Sequence, residues 1–256
     1  MCIRDRRRLS PAVSLSWRPF SESTLRIRAS YKDIFRVPTF TDLYYLRMGN
    51  TNLKPEETSQ YNVGVTWSSS CGDWLRHFSI SADGYYNTVK DKIVALPTMY
   101  VWKMMNMGEV DIKGVDVNLS TQFRLPLRMS LLLASTYSFQ YAVDVTDPEA
   151  KNYKDQIPYT PRHSGTVSVT LENPWVNVSY ILTAVGDRYA LPQNIDRNRI
   201  DSYIEQSISI NRDFRFRYFG LRLQGELLNL ANVNYDVIQY YPMPGRSWRL
   251  SICLSY

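Results

Sequence analysis

The sequence predicts an all-β fold, an antiparallel up-and-down β-barrel of the transmembrane kind. Three observations carry that prediction. Apolar and polar residues alternate with a period of two through about eleven segments. The connections between those segments are alternately long and short. Aromatic residues are abundant, with 19 Tyr and 6 Trp in 256 residues, and many stand near segment ends. No run of about 18 apolar residues exists, so no transmembrane helix is expected. A barrel strand escapes that requirement, because only its lipid-facing residues need be apolar.

The segments follow in order. Val13, Leu15 and Trp17 oppose Ser14, Ser16 and Arg18, and Leu25, Ile27, Ala29 and Tyr31 oppose Arg26, Arg28, Ser30 and Lys32. Tyr61, Val63, Val65 and Trp67 oppose Asn62 and Thr66, and Phe78, Ile80, Ala82 and Tyr86 oppose Ser79, Ser81, Asp83 and Asn87. Val115, Val117 and Leu119 face away from Asp116, Asn118 and Ser120, and Met129, Leu131, Leu133, Tyr137 and Phe139 from Ser130, Thr136, Ser138 and Gln140. Val167, Val169 and Leu171 alternate with Thr166, Ser168 and Thr170, and Val178, Tyr180 and Leu182 with Asn177 and Ser179. A weaker strand runs through Ile204, Ile208 and Ile210. Leu221, Leu223 and Leu227 oppose Arg222, Gln224 and Glu226; Trp248, Leu250, Ile252, Leu254 and Tyr256 oppose Ser247, Arg249, Ser251, Cys253 and Ser255.

A soluble sandwich also alternates, so the connections discriminate. Long ones are expected near 34–57, 90–109, 142–161, 188–200 and 230–244. Short ones are expected near 19–23, 68–77, 122–127, 172–174 and 212–217. That regularity puts every long loop on one rim, as outer-membrane barrels do. Trp17, Tyr31, Trp67, Tyr86, Tyr141, Trp175 and Trp248 are placed to form interfacial girdles. Arg26, Arg28, Lys32, Asp83, Asp116, Glu205, Arg222, Glu226 and Arg249 then share the face turned to a polar interior.

Several function classes find no support. The formal charge of +6 is spread along the chain, and nucleic-acid binding is not expected. Cys2, Cys71 and Cys253 are too scattered for a disulfide framework or a zinc site. His77 and His163 stand far apart, and no nucleophile elbow, zinc motif or phosphate loop accompanies them, so no enzyme and no cofactor are predicted. Asp144, Asp147, Glu149 and Asp155 lack calcium-loop spacing and are read as solvated. Residues 1–10 carry charge without an apolar run behind it, so they are read as a non-native or partial leader rather than a signal peptide.

Four groups of residues carry a family resemblance. Phe35-Arg36-Val37-Pro38, Asp42-Leu43-Tyr44 and Gly49-Asn50-Thr51-Asn52-Leu53-Lys54-Pro55-Glu56 form the first. Tyr85-Tyr86-Asn87, Ile93, Asn106 and Gly114-Val115-Asp116-Val117 form the second. Pro161-Arg162-His163 is the third, and Leu228-Asn229-Leu230, Asn234-Tyr235, Pro244-Gly245-Arg246 and the terminal Tyr256 are the fourth. In order and spacing they resemble the C-terminal barrel of TonB-dependent receptors, over residues 11–256. Thr51, Asp116 and Tyr256 depart from the usual Pro, Glu and Phe.

The resemblance implies about eleven C-terminal strands of a 22-stranded barrel with a plugged lumen. It implies an N-terminal plug carrying the contact to a TonB energy-transducing complex, so this chain is read as a fragment lacking the plug. Further implied partners are outer-membrane lipid, the barrel-assembly machinery that reads the terminal aromatic, a small-molecule nutrient and an accessory surface lipoprotein. The implied activity is uptake of siderophore-iron, cobalamin, heme or a glycan. The segment Thr39–Gly49 lacks the histidine of heme receptors, which lowers heme among these. The alternative is a passive barrel or adhesin without TonB coupling. The ligand-binding candidates are Tyr44, Tyr45, Arg47, Tyr240 and Tyr241 in the long loops, because Tyr offers a broad apolar face, a hydroxyl and little rotamer freedom to lose.

Overall fold

The structure, a computed structural model, describes residues 9–20, 24–98 and 100–255. Residues 1–8 of the predicted leader and the terminal Tyr256 lie outside the described residues. The strands are β1 Ala12–Trp17, β2 Arg26–Arg36, β3 Glu56–Cys71, β4 Leu75–Pro97, β5 Trp102–Leu125, β6 Met129–Asp144, β7 His163–Glu172, β8 Asn177–Val185, β9 Arg188–Tyr189, β10 Arg199–Ile200, β11 Tyr203–Arg215, β12 Gly220–Leu228, β13 Asp236–Ile238, β14 Tyr241–Pro242 and β15 Ser247–Ser255. Eleven of them make one sheet, ordered β1-β2-β3-β4-β5-β6-β7-β8-β11-β12-β15, with every neighbouring pair antiparallel. Apart from the ribbon strands β9, β10, β13 and β14, which lie outside this sheet, consecutive strands are sheet neighbours, the up-and-down order that the alternation predicts. No described helix is long and apolar enough to cross a membrane.

Register keeps the two faces separate. Leu221 pairs with Leu254 and Leu223 with Ile252, while Arg222 pairs with Cys253, Gln224 with Ser251 and Glu226 with Arg249. A slip of one residue would exchange the faces entirely. On the polar face, side chains bond from strand to strand: Thr170 to Ser179 at 2.9 Å, Asn177 to Asn211 at 3.1 Å and Ser68 to Ser79 at 3.1 Å. Arg222 holds Asp213 at 2.6 Å, and Arg249 holds Glu226. Arg28 reaches Asp83 at 2.9 Å across Gly64, the register partner of both; a Cβ on Gly64 would overlap the Asp83 carboxylate. The opposite face presents Leu250, Ile252 and Leu254, each more than 60% exposed, as expected of residues that await lipid rather than water.

The connections depart from expectation in three places. The predicted long loop at 90–109 is instead a continuation of β4 and β5, which pair from Leu75↔Phe123 up to Pro97↔Trp102 around a tight turn. Its Ile93 and Val94 supply β-branched residues where a loop would not need them. Loops expected to lack regular structure carry two small ribbons, β9–β10 and β13–β14. Finally, one helical turn, α1 (Phe40–Tyr44), forms because Thr39 and Asp42 make a reciprocal capping box. The buried apolar cluster sits near the rim of the long loops: Val89, Met107, Val110, Ile112 and Ala142, covered by Ile157 from the loop after β6.

Candidate functional site

The long connections share one rim, and the sequence motifs turn out to be the fasteners that shape them. Arg36, at the end of β2, holds Asp42 at 3.1 Å and Glu56 at 3.6 Å. Glu56 in turn accepts the Ile93 amide at 3.1 Å. One ion-pair chain thus ties β2, α1, β3 and the β4–β5 hairpin. Asn106 accepts the Lys54 amide at 2.8 Å and donates to the carbonyls of Lys54 and Asp91 at 3.1 and 2.7 Å. Asn50 donates to the Met104 carbonyl at 3.0 Å. A short polar side chain carrying donor and acceptor together is what such pinning requires, which explains the asparagines of the motif.

The Asp42 carboxyl is almost buried, and burial alone would raise its pKa. The Thr39 backbone amide at 2.9 Å, the Thr39 side chain and the Arg36 guanidinium outweigh burial and hold it below the usual carboxylate range. The loop after β12 is fastened in the same manner. Asn229 is buried with φ 49°, donates to the carbonyls of Val233 and Pro244 at 2.9 and 3.2 Å, and accepts the Val233 amide at 2.8 Å. Asn232, at φ 52°, accepts the Arg246 amide at 2.8 Å.

Across the rim, rings and one buried cation connect the β4–β5 hairpin with three of the long connections. Trp102 contacts Tyr159 with centroids 5.8 Å apart. The Tyr159 amide donates to the Tyr189 carbonyl at 2.7 Å. Arg188, only 3% exposed, donates to the carbonyls of Asp236 and Val237 and lies 5.4 Å from the Tyr203 ring centroid. Tyr203 stacks on Tyr235 at 4.0 Å, and the Tyr235 hydroxyl donates to Glu205 at 2.6 Å. Burial, then the Glu205 hydrogen bond and charge, push the Tyr235 phenol well above its ordinary pKa. One Arg188 nitrogen, Nη1, is buried without a hydrogen-bond partner. The cluster thus locks the loops together through packed rings and one enclosed cation.

The sequence-predicted candidates lie outside this cluster. Tyr44 and Tyr45 are 52% and 58% exposed on or beside α1, with Tyr44 packed on Phe40 at 4.9 Å. Tyr240 and Tyr241 are 80% and 66% exposed at the tip of the β13–β14 ribbon. Arg47 and Tyr240 both hold φ 66°, a left-handed conformation uncommon for such residues. The two groups stand on connections eight strands apart in the sheet order, so the structure does not bring them together through this sheet. Sequence reading missed the pairing of Tyr203 with Tyr235. The signal is present in Asn234-Tyr235, but a motif does not say which wall its ring packs against. The loop carboxylates Asp144, Asp147 and Asp155 cap the amides of Thr146, Glu149 and Asn194. Among the described residues no group of three metal-ligating side chains forms.

Comparison with known proteins agrees with this architecture. A sequence model of the family described as "TonB dependent receptor-like, beta-barrel" matches residues 3–230. The chain is 27% identical over 236 residues to the vitamin B12 transporter BtuB of Photobacterium profundum, covering 88% of this chain and 34% of that protein. It is 24% identical over 221 residues to BtuB of Vibrio vulnificus, covering 84% and 32%. The chain thus spans about a third of the length of these curated relatives. Among solved structures, the copper transporter OprC superposes with a TM-score of 0.72 at 16% identity, covering 96% of this chain and 38% of that one, a likeness of fold.

Proposed function

This chain belongs to the TonB-dependent receptor β-barrel family, and on that premise we propose that it forms the C-terminal barrel wall of an outer-membrane receptor that takes up a scarce nutrient with TonB-coupled energy. Barrels of this family lie in the Gram-negative outer membrane, and the apolar face of this sheet fits that solvent. The observation that carries the proposal is the family match together with the fastened rim: Arg36, Asp42, Glu56, Asn106 and Asn229 hold the long loops over the polar face. Energy coupling runs through a plug that this wall surrounds. Assembly machinery and an accessory surface lipoprotein are further proposed partners.

A corrinoid is the first ligand to test. Both curated relatives named above are vitamin B12 transporters, and a corrin ring edged with amides suits the exposed phenol faces and hydroxyls of the long loops. The exposed set Tyr44, Tyr45, Arg47, Tyr240 and Tyr241 is proposed to make the first capture. The test is uptake of radiolabelled cyanocobalamin by cells that lack their own B12 receptor and express the intact protein, with and without TonB. Accumulation that depends on both the receptor and TonB supports the proposal. Uptake that persists without TonB overturns the coupling, and absent binding of corrinoid by a surface-expressed receptor overturns the ligand.

A further inference from the structure

On the apolar face, five residues form one row straight across five strands. Tyr31, Tyr61, Tyr86, Lys113 and Tyr141 are each the register partner of the next. The row below it, toward the short turns, is Ala29, Val63, Gly84, Val115 and Phe139. The row above is Asp33, Ser59, Thr88 and Asp111, followed by Val143. The composition thus steps from aliphatic through aromatic to polar, which marks the passage from hydrocarbon to headgroups at the long-loop end.

Lys113 is a cation set in this row of rings. Its Nζ lies 5.3 Å from the centroid of Tyr141, and the Arg162 guanidinium lies 5.2 Å from the same centroid. Both basic side chains are exposed, and neither forms an ion pair among the described residues. The nearest acid on the same strand face, Asp111, is engaged by the hydroxyls of Tyr86 at 3.2 Å and Thr88 at 3.4 Å. Lys90, higher on this face, provides the contrast, since it stands directly between its register partners Glu57 and Glu109. Lys90 thus has acids as register partners on both neighbouring strands, whereas Lys113 has the rings of Tyr86 and Tyr141.

We propose that Lys113 and Arg162 form an outward-facing site for a phosphate carried by the glycolipid of the outer leaflet. Lys113 from β5 and Arg162 from the entry to β7 flank the Tyr141 ring on the outward face; the Arg fork offers bidentate donors to phosphate oxygens, and Lys supplies a second point charge. Hydrocarbon below the row confines the bound group to a lipid headgroup. The inference rests on the outer-membrane placement and is independent of which nutrient is transported.

Native mass spectrometry of the intact receptor in micelles doped with bisphosphorylated lipid A, or with its dephosphorylated form, tests the site. The wild type is expected to retain lipid A and to release the dephosphorylated lipid. The double variant Lys113→Gln/Arg162→Gln should retain about tenfold less lipid A. Arg212→Gln is the control: that outward cation sits over Phe214 at the opposite rim and should leave retention unchanged. Equal retention of both lipids by the wild type overturns the proposal, as does full retention by the double variant or an equal loss in the control. Displacement of lipid A by equimolar inorganic phosphate overturns the lipid as the source. Should the double variant fail to fold, the wild-type comparison of the two lipids decides alone.

Discussion

At the scale of single residues, two glycines separate cheap from costly substitution. A Cβ on Gly64 meets the carboxylate end of the partly exposed Asp83 side chain, which can turn aside, so alanine there should cost only an exposed ion pair, about 0–1 kcal/mol. A Cβ on Gly114 meets the Phe139 carbonyl and the Tyr85 ring, which covers the glycine from its register partner strand. Backbone cannot rotate away, so Gly114→Ala should cost about 1–3 kcal/mol. Urea midpoints of the two variants of the intact protein, refolded in bilayers, give the comparison, and equal midpoints would refute the assignment. Asp42 supplies a pH-dependent case. Its folded pKa is depressed, so its contribution is complete above the unfolded value of about 3.9 and disappears as the pH falls through the lower folded value. Amide exchange at Thr39 should therefore quicken below that window in the wild type. In Asp42→Asn it should already be fast at neutral pH, and a slow Thr39 amide in that variant would show that the carboxylate is not the clasp.

At the scale of elements, the β12–β15 pair decides which face is which. Leu221, Leu223, Leu250, Ile252 and Leu254 fall on one side of the ladder and Arg222, Gln224, Arg249 and Ser251 on the other. Ion pairs Arg222–Asp213 and Arg249–Glu226 occupy only the second side. Ile252→Arg should hinder membrane assembly of the intact receptor by about 2–4 kcal/mol, while Ser251→Arg should be tolerated. Heat-modifiability on gels reads both, and the reverse result would invert the faces. The β4–β5 hairpin shows why element length is hard to judge from sequence. Lys90, Asp91, Lys92 and the Met-rich stretch after Lys103 look loop-like in composition, yet Asn106, Glu56 and the Thr98 turn hold the strands paired to Trp102.

For the whole molecule, one aromatic set supports the loops, and capture is the role proposed for another. Trp102, Tyr159, Tyr203 and Tyr235 brace the loops, whereas Tyr44, Tyr45, Tyr240 and Tyr241 remain exposed. Replacing the exposed four together by Ala in the intact receptor should weaken ligand binding at least about tenfold, or 1.4 kcal/mol, with surface expression unchanged. Unchanged affinity at normal expression would move the site to the braced cluster around Arg188 or elsewhere in the receptor. These four residues stand on connections eight strands apart in the sheet order, so their joint action depends on how the wall curves and closes.

Period two is a local property that each segment displays without reference to its neighbours, so the eleven strands of the main sheet, their order and their faces were legible in the sequence, whereas the full length of β4 and β5 and the ribbons β9–β10 and β13–β14 were not. The sequence also marked the residues that matter at the rim, as Arg36, Asp42, Asn106 and Asn229 all fall in the motifs. It did not tell what they do. Their partners lie as far as 54 residues away in the chain, as with Asn50 and Met104, and only chain folding brings such groups within bonding distance. The row of Tyr31, Tyr61, Tyr86, Lys113 and Tyr141 was likewise decided by tertiary structure, since register across five strands is fixed by the summed pairing of whole ladders and by no single segment.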